Sequence, residues 1–308
     1  MPKRSGRKRF GIVGGGNGWY VRDLQRAAAA DEEVVAVPYT RLLAEAASSR
    51  CAERSAGIGL AEYDCLLLRA VPAGTLQQIV FRLDVLGQAA RSGVAMVNSP
   101  RTMEIAVDKY LATARLAAAG LPVPETVVCQ RADEALAAYE RLGGDVVVKP
   151  LFGSEGQGMH RVTSTATAAT LFGELVENGD VLYLQRFIPH AGRDFRVLTI
   201  GDDALVMART NRHDWRTNIS LGGSAEAVTL DAETIDLARR AAAVTGATLA
   251  GVDLLPDGDG AMYVLEVNAA PGWRALAGTL NVDVSRRVLD HLRQVAASRE
   301  KTNAASIC

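Results

Sequence analysis

The chain contains 308 residues, of which 48% are hydrophobic, and its 34 Lys and Arg residues nearly balance 35 Asp and Glu residues, giving a formal net charge of -1 at pH 7. This length is sufficient for a sizeable core and for two or three folding units, whereas the balanced charge argues against a nucleic-acid or membrane-surface partner. No apolar run reaches the roughly 18 residues of a membrane span, and the four cysteines lack CxxC spacing, so we expect reduced thiols in the cytoplasm.

The chain begins with a basic segment that lacks the apolar stretch of a secretory signal. Its basic residues are Lys3, Arg4, Arg7, Lys8 and Arg9. We expect a disordered tail over residues 1–9, with a phosphate-attracting arm as the alternative.

Residues 10–99 alternate short apolar runs with segments of helical character. The predicted strands cover residues 10–13, 34–37, 65–68 and 94–97, and the predicted helices cover residues 19–30 and 76–91. This alternation favours a small α/β domain with a largely parallel sheet, which ends at the turn cluster Asn98-Ser99-Pro100.

A glycine-rich segment, residues 14–18, follows the first predicted strand. It imitates a dinucleotide-binding loop, but Trp19 stands where the third glycine is required, and no acidic residue closes the second strand. The segment is therefore interpreted either as a cofactor loop or as a tight turn that faces an active cleft.

A second unit is expected over residues 100–185. Its predicted helices cover residues 102–119, ending at Gly120, and residues 133–141, and its predicted strands cover residues 126–129 and 146–150. The second of these strands carries Lys149 and runs into the glycine-rich residues 153–158. Glycines let backbone N–H groups approach phosphates, and a neighbouring ammonium supplies charge. A phosphate loop is predicted here, although it is not a Walker loop and a simple connecting turn is the alternative.

Residues 186–297 are expected to form the third unit, followed by a loose tail over residues 298–308. Strands are predicted at residues 181–188, 195–200, 205–210, 252–255 and 262–267, and helices at residues 231–245 and 284–295. Asp231 is the expected N-cap of the first of these helices, and Gly246 follows its end.

The last two predicted strands form a hairpin that concentrates hard oxygen ligands. Glu266 and Asn268 share a face because side chains alternate along a strand, and the glycine-rich turn folds Asp253 back towards Glu266. Two carboxylates and an amide oxygen suit Mg²⁺, which takes its remaining ligands from water and phosphates. The alternative is that the carboxylates pair with arginines.

Arginines cluster in the preceding strands, a pattern typical of phosphate or carboxylate recognition. The cluster consists of Arg193, Arg196, Arg209, Arg212 and Arg216, with Asp194 and Asn218 among them. A solvated basic face is the alternative.

From residue 98 to about residue 293, the chain resembles ATP-grasp enzymes of the RimK-type α-L-glutamate ligase family. The matching stretches, in family order, are residues 105–109, 121–124, 148–150 with 153–158, 194–196, 216–218, 251–255 and 265–268. The resemblance implies an α/β ATP-grasp fold. Its parts would be an N-terminal Rossmann-like (pre-ATP-grasp) domain over residues 10–99, a central lid subdomain over residues 100–185 and a C-terminal α+β subdomain with the metal site over residues 186–297.

The resemblance also implies roles for individual residues. Phosphates would be held by Lys109, Lys149 and the loop residues Gly153, Ser154, Glu155 and Gly156. Adenine would contact Gln185 and the backbone of Arg186 and Phe187, and the ribose would contact Asp194. The reacting centre would be served by Arg216, Asn218, Arg196 and Arg209, and Mg²⁺ by Asp253, Glu266 and Asn268.

Two departures from the family pattern bear on the substrate. The family usually has Glu where this chain has Arg186, which leaves only backbone contacts to adenine, and residues 219–223 lack the His-Arg pair of members that modify ribosomal protein. Around Arg69 and over residues 104–110 and 149–159, the chain is more similar to the branch that glutamylates tetrahydromethanopterin. A pterin acceptor is therefore preferred to an acidic peptide.

The predicted enzyme uses ATP and Mg²⁺, with Mn²⁺ as an alternative metal, to join L-glutamate to a small acid acceptor through an acyl-phosphate. No nucleic-acid or membrane partner is expected, and homo-oligomers are compatible with the sequence. The alternatives are an ATP-grasp ligase for a protein C-terminus, an amino acid or a dipeptide, a nicotinamide-dependent oxidoreductase that uses residues 14–18, and a non-catalytic nucleotide-binding regulator.

Overall fold

The structure is a computed structural model that describes residues 7–48, 50–153 and 156–305. Residues 1–6 of the expected basic tail, and Ser154 and Glu155 of the expected phosphate loop, lie outside the described residues. Among the helices that are described, none is long and apolar enough to cross a membrane.

The N-terminal region contains a parallel sheet and a smaller antiparallel one. Its elements are β1 (Lys8–Gly14), α1 (Trp19–Ala27), β2 (Glu32–Pro38), β3 (Leu42–Ala47), β4 (Arg50–Ser55), β5 (Ile58–Gly59), β6 (Cys65–Leu68), α2 (Leu76–Arg91) and β7 (Met96–Val97). The parallel sheet has the order β2-β1-β6-β7, as the βα alternation predicted. Phe10 and Ile12 face the core shared with α1, whereas Val13 and Leu66 face the core shared with α2.

One expectation for this region is wrong, and one sheet was missed. Lys8 and Arg9 belong to β1 rather than to a disordered tail, because the Lys8 backbone N–H donates to Asp31 O at 2.9 Å and the Arg9 guanidinium pairs with Glu33 at 2.8 Å. The antiparallel sheet β3-β4-β5 was not predicted. β3 is exposed on both faces after Leu42, so its sequence lacks the alternation that marks a half-buried strand.

The central region is a four-stranded sheet covered by two helices. Its elements are α3 (Pro100–Val107), α4 (Lys109–Ala118), β8 (Thr126–Cys129), α5 (Ala132–Arg141), β9 (Val146–Lys149), β10 (His160–Val162), α6 (Thr165–Glu177) and β11 (Leu182–Arg186). The sheet order is β10-β9-β11-β8, and α5 and α6 pack on it through a separate apolar cluster. The single helix expected over residues 102–119 is broken at Asp108, whose carboxylate accepts from Leu111 N at 3.0 Å and caps α4.

The C-terminal region is a five-stranded antiparallel sheet. Its elements are β12 (Arg193–Ile200), β13 (Asp203–Thr210), β14 (Ser224–Ala227), α7 (Ala232–Thr245), β15 (Leu249–Pro256), β16 (Met262–Asn268), α8 (Arg274–Leu280) and α9 (Val284–Ala305). The order is β14-β13-β12-β15-β16. Asp231 caps α7 as predicted. The loose tail expected from residue 298 is wrong as far as residue 305, because α9 continues to Ala305, and residues 306–308 lie outside the described part.

Candidate active site

One face of the five-stranded sheet gathers most of the predicted charged site residues. In the strand register Arg196 lies opposite Asp253, Asp253 lies opposite Glu266, and Asp194 lies opposite Arg209. Residues opposite one another on antiparallel strands project to the same face, as do alternate residues of one strand. Asn268 therefore shares this face with Glu266. The predicted pairing of Asp253 with Glu266 across the hairpin is confirmed.

Four of these side chains form what we call the ion-pair row: Asp194, Arg209, Asp253 and Arg196. Arg196 grips both carboxylate oxygens of Asp253, and the Arg209 Nη2 lies 3.0 Å from Asp253 Oδ2 while it also pairs with Asp194. Burial alone would raise the pKa of Asp253, but the two guanidiniums outweigh it and hold that pKa below its usual range. Asp253 therefore pairs with arginines, which was the alternative to metal binding for the hairpin carboxylates.

Glu266 differs from Asp253 although the two are neighbours in the sheet. Its side chain is half-buried, and no residue in the described part of the chain hydrogen-bonds or ion-pairs with its carboxylate. The Asn268 Oδ1 accepts from Ala270 N at 2.9 Å, which orients the amide at the end of β16. An open carboxylate beside an oriented amide oxygen fits a hard cation that has few protein ligands. Consistent with so small a set, no cluster of three His, Cys, Asp or Glu side chains suited to a metal is found in the residues described.

Two lysines from the central region carry positive charge near this carboxylate. The buried Lys149 Nζ donates to Gln185 Oε1 at 2.6 Å, and the Gln185 amide in turn donates to Thr126 Oγ1 at 3.0 Å. The Lys109 Nζ donates to Gly153 O at 2.9 Å. Burial lowers the pKa of Lys109, and it lowers the pKa of Lys149 to about 8, while Glu266 acts on both in the opposite direction.

The predicted adenine contacts are only partly available. The Arg186 N–H donates to Glu125 O at 2.8 Å, and the Phe187 N–H donates to Asp145 O at 3.0 Å. Those two donors are therefore engaged, which leaves the two carbonyl oxygens for the predicted backbone contacts to adenine, and these contacts stay a prediction. The neighbouring Ile188 N–H, which the sequence analysis did not consider, has no acceptor in the described chain.

A cleft between the central and C-terminal sheets brings half of the predicted nucleotide residues together with two residues of the predicted reacting centre. It is lined by Lys149, Gln185, Arg186, Phe187, Asp194, Arg216 and Asn218. Its apolar walls, which the sequence analysis missed, are Pro124, Val147, Met159, Ile188, Trp215, Leu255 and Leu265. Asp194 lines the cleft, and each of its carboxylate oxygens accepts from Arg209. Its ribose role stays a prediction.

The far end of the glycine-rich loop touches the loop that carries Arg216 and Asn218. The Arg216 guanidinium pairs with Asp214 at 2.6 Å and donates to Gly156 O at 3.4 Å. Gly156 has a φ of +73°, and a Cβ there would lie 2.7 Å from Asn218 Oδ1. The positive φ and this close contact favour glycine at position 156, which lies against the predicted reacting centre.

Comparison with known proteins identifies the family. A family model described as the RimK-like ATP-grasp domain matches residues 106–292. The tetrahydromethanopterin:alpha-L-glutamate ligase of Methanosarcina acetivorans is 32% identical over 266 residues, which cover 77% of this chain and 82% of that protein. A probable alpha-L-glutamate ligase of Mannheimia succiniciproducens is 32% identical over 241 residues, covering 77% and 79% of the two chains.

Solved structures agree on the architecture. A RimK-domain ATP-grasp protein from Sphaerobacter thermophilus is 26% identical, with a TM-score of 0.69 over 92% of this chain and 98% of that one. The ATP-grasp ligase PsnB, in complex with a phosphomimetic variant of its minimal precursor, Mg and ADP, has a TM-score of 0.73 at 21% identity, covering 94% and 99%. At that identity the likeness establishes the fold alone, and it confirms the predicted ATP-grasp fold. The chain therefore belongs to the RimK-like ATP-grasp family and is an ATP-dependent ligase of that family.

Proposed function

We propose that this chain uses Mg²⁺ and ATP to join L-glutamate to an acceptor carboxylate through an acyl-phosphate, and that the acceptor is a pterin of the tetrahydromethanopterin type. The observation that carries the proposal is the meeting of the unpaired Glu266 carboxylate with two lysines that have no carboxylate partner in the described structure. Such a set of charges is completed by a metal and a polyphosphate.

The cleft fits a nucleotide in both shape and polarity. Apolar side chains such as Val147, Leu255 and Leu265 line it, and backbone groups near Ile188 lie at its edge. An apolar slot with a few backbone donors and acceptors suits a flat heteroaromatic base. The ammonium groups of Lys109 and Lys149 would then bind the phosphates, with the N–H groups of the glycine-rich loop closing over them.

Glu266 and Asn268 would hold the metal. Asp253 would be a third ligand through a carboxylate oxygen that also accepts from Arg196 or Arg209. Bound Mg²⁺ neutralises charge on the phosphates during transfer. Arg196 and Arg209 keep Asp253 ionised and fixed. Arg216, which Asp214 and the Gly156 carbonyl orient, would approach the reacting phosphate from its loop. The chain thus supplies positioned charge rather than a nucleophile.

The chemistry would proceed in two displacements. An oxygen of the acceptor carboxylate attacks the γ-phosphorus, the bond to the bridging oxygen breaks, and ADP leaves. The amine nitrogen of glutamate then attacks the acyl carbon, and the C–O bond breaks to release phosphate and a proton. Water must be excluded between the two steps because it would hydrolyse the acyl-phosphate.

The acceptor choice rests on similarity. The tetrahydromethanopterin:alpha-L-glutamate ligases of Methanosarcina acetivorans, Methanocaldococcus jannaschii and Methanococcus maripaludis are 30–32% identical to this chain over most of its length. The glutamate–LysW ligase ArgX of Sulfurisphaera tokodaii, at 25% identity, is more distant.

A glutamate-dependent assay tests the proposal. Purified protein with ATP, Mg²⁺ and L-glutamate is offered tetrahydromethanopterin, a deazaflavin acid or a peptide ending in Glu, and ADP and product mass are measured. We expect ADP release and a one-glutamyl mass gain with the pterin only. A mass gain with the peptide would show that the acceptor is a peptide and not a pterin. The absence of glutamate-dependent ADP release with all of these acids would refute the proposed glutamate ligation. Labelling the acceptor carboxylate with ¹⁸O should place one label in the released phosphate, and unlabelled phosphate would refute the acyl-phosphate.

A further inference from the structure

The carboxyl ends of β1 and β6 lie side by side in the N-terminal parallel sheet, and we call the space beyond these two ends the crevice. In the order β2-β1-β6-β7, the chain leaves β1 towards β2 on one side, while β6 lies on the other. Ligands of open parallel sheets bind outside the carboxyl ends of the strands at such a switch point. Here the glycine-rich residues 14–18 follow β1 and Arg69 follows β6, and the Arg69 N–H donates to Val13 O at 2.8 Å.

The Arg69 guanidinium is held rigidly in this crevice. It lies 4.4 Å from the Tyr20 ring centroid and 4.8 Å from the Trp273 ring centroid, and its Nη1 donates to Pro271 O at 2.7 Å. The Tyr39 hydroxyl donates to the Arg69 carbonyl at 3.0 Å and fixes the backbone. A planar cation between two rings is preorganised for a planar anion.

No carboxylate among the described residues compensates this charge. No described Asp or Glu forms an ion pair with Arg69, and burial lowers its pKa to about 10, with only Tyr20 and Tyr39 acting in the opposite direction. Asp23, which touches the same Trp273 ring, is already engaged by Arg26 and by the Ser285 hydroxyl at 2.7 Å. A shielded guanidinium without a counter-charge is costly unless an anion binds it.

The glycine-rich segment adds neutral donors beside the cation. The backbone N–H groups of Gly15, Gly16 and Asn17 have no acceptor in the described part of the chain. A Cβ at Gly15 or Gly16 would meet nothing within 4 Å, so the space above the loop is open. The Arg22 Nη1 donates to Asn17 O at 2.6 Å, which orients the loop. The loop starts next to Arg69, because a Cβ at Gly14 would lie 3.5 Å from Arg69 Cβ. Free N–H groups and a guanidinium at one edge of a sheet suit an anion.

The crevice also lies close to the candidate metal site. Pro271, which accepts from Arg69, is three residues beyond Asn268, so the chain between them spans at most about 11 Å. A small dicarboxylic substrate could therefore reach from one site to the other.

We propose that Arg69, together with the N–H groups of residues 15–17, binds a carboxylate group of a ligase substrate and thereby positions that substrate beside the metal end of β16. The proposal rests on the ligase function above. The carboxylate belongs either to L-glutamate or to the acceptor acid, and the experiment distinguishes the two.

Calorimetric titration in the presence of Mg²⁺ and ADP tests it, with L-glutamate and tetrahydromethanopterin as separate probes. Arg69→Met keeps the stem and removes the charge, and Arg69→Lys keeps the charge without the planar fork. Arg274→Gln is the matched control, because its guanidinium lies 5.5 Å from the Trp19 ring in an exposed position. We expect Arg69→Met to weaken one probe about 10- to 100-fold, Arg69→Lys to weaken it less, and Arg274→Gln to leave it within about twofold.

The outcomes distinguish carboxylate binding by Arg69 from the proposed ligase reaction. In kinetics, Arg69→Met should raise the KM of the same substrate and leave the KM of ATP unchanged. Wild-type binding of both probes by a folded Arg69→Met protein, or no binding of either probe by the wild type, would overturn the proposal. Arg69-dependent binding without glutamate-dependent ADP release would instead overturn the ligase function and leave the crevice standing.

Discussion

The ion-pair row and the open charges of the cleft lie next to one another, yet they are built in opposite ways. In the row, Arg209 serves two carboxylates at once, and both Arg209 and Asp253 are almost fully buried, at 6% and 7% side-chain exposure. Beside the row, Lys109, Lys149 and Glu266 carry the open charges, and none of them has an ion-pair partner among the described residues. Asp253 and Glu266 are neighbours across one hairpin, so this difference is not a matter of location.

The comparison separates charges that hold the protein together from charges that await a ligand. A buried ion pair stabilises the sheet only if every member is satisfied, and removing one member leaves an uncompensated charge. An open charge at a cleft is available for binding, and its removal should change function more than stability. The variants below test that division.

Arg209→Met should give the largest effect, and it should be on stability. Loss of the guanidinium leaves Asp194 and Asp253 buried without their shared partner, which costs about 3–5 kcal/mol and lowers Tm by roughly 10 °C. Arg193→Met, which removes a more exposed pair with Glu226, is the control and should cost less than about 1 kcal/mol. Equal melting temperatures for the two variants would show that the ion-pair row stabilises the protein no more than an exposed ion pair does.

Glu266→Gln should reduce activity without a stability change. The amide keeps the shape of the side chain but weakens a metal ligand, so we expect kcat to fall about 100-fold or more while Tm stays within about 2 °C. Glu226→Gln on the exposed edge strand is the matched control and should retain kcat. Wild-type ADP release by Glu266→Gln would remove Glu266 from the metal site.

Lys149→Met should weaken nucleotide binding. The change removes a buried ammonium that is oriented by Gln185, and we expect the Kd of ADP with Mg²⁺ to rise about tenfold or more. Lys8→Met, on the exposed start of β1, is the control. An unchanged Kd in a folded Lys149→Met protein would contradict the phosphate role.

The pH dependence of binding should give the smallest effect. Because burial lowers the pKa of Lys149 to about 8, the ammonium is charged below that pH and becomes neutral as the pH rises through it. Nucleotide affinity should therefore fall between about pH 7 and pH 9, by no more than Lys149→Met costs. The same titration of Lys149→Met should be flatter, and an equally steep profile would assign the dependence to another group.

The sequence predicted the pairing in the β15–β16 hairpin well because both of its signals are local. A glycine-rich turn and strict alternation are enough to place Asp253 opposite Glu266. The partners of Asp253 were harder to predict from the sequence. Arg196 and Arg209 lie beside Asp253 because of the register of β12, β13 and β15, and that register depends on packing across the sheet.

Other features depend on contacts that sequence does not display. The Arg186 and Phe187 N–H groups are taken by Glu125 and Asp145, which come from distant segments. The break at Asp108 had a signal, because Asp is a common N-cap, but an apolar helical pattern on both sides concealed it. Nothing in the sequence marks Arg69 as an unpaired cation, since its neighbours come from two distant segments, Tyr20 of α1 and residues 271–273.

The most direct test of the central claim is calorimetric titration of ADP, with and without Mg²⁺, into the wild type and Glu266→Gln. We expect Mg²⁺ to tighten ADP binding to the wild type about tenfold or more, and to have little effect on the variant, whose Mg²⁺-free affinity should equal that of the wild type. A variant that keeps the full Mg²⁺ effect, or a wild type that binds ADP equally without metal, would contradict a metal–nucleotide site at Glu266.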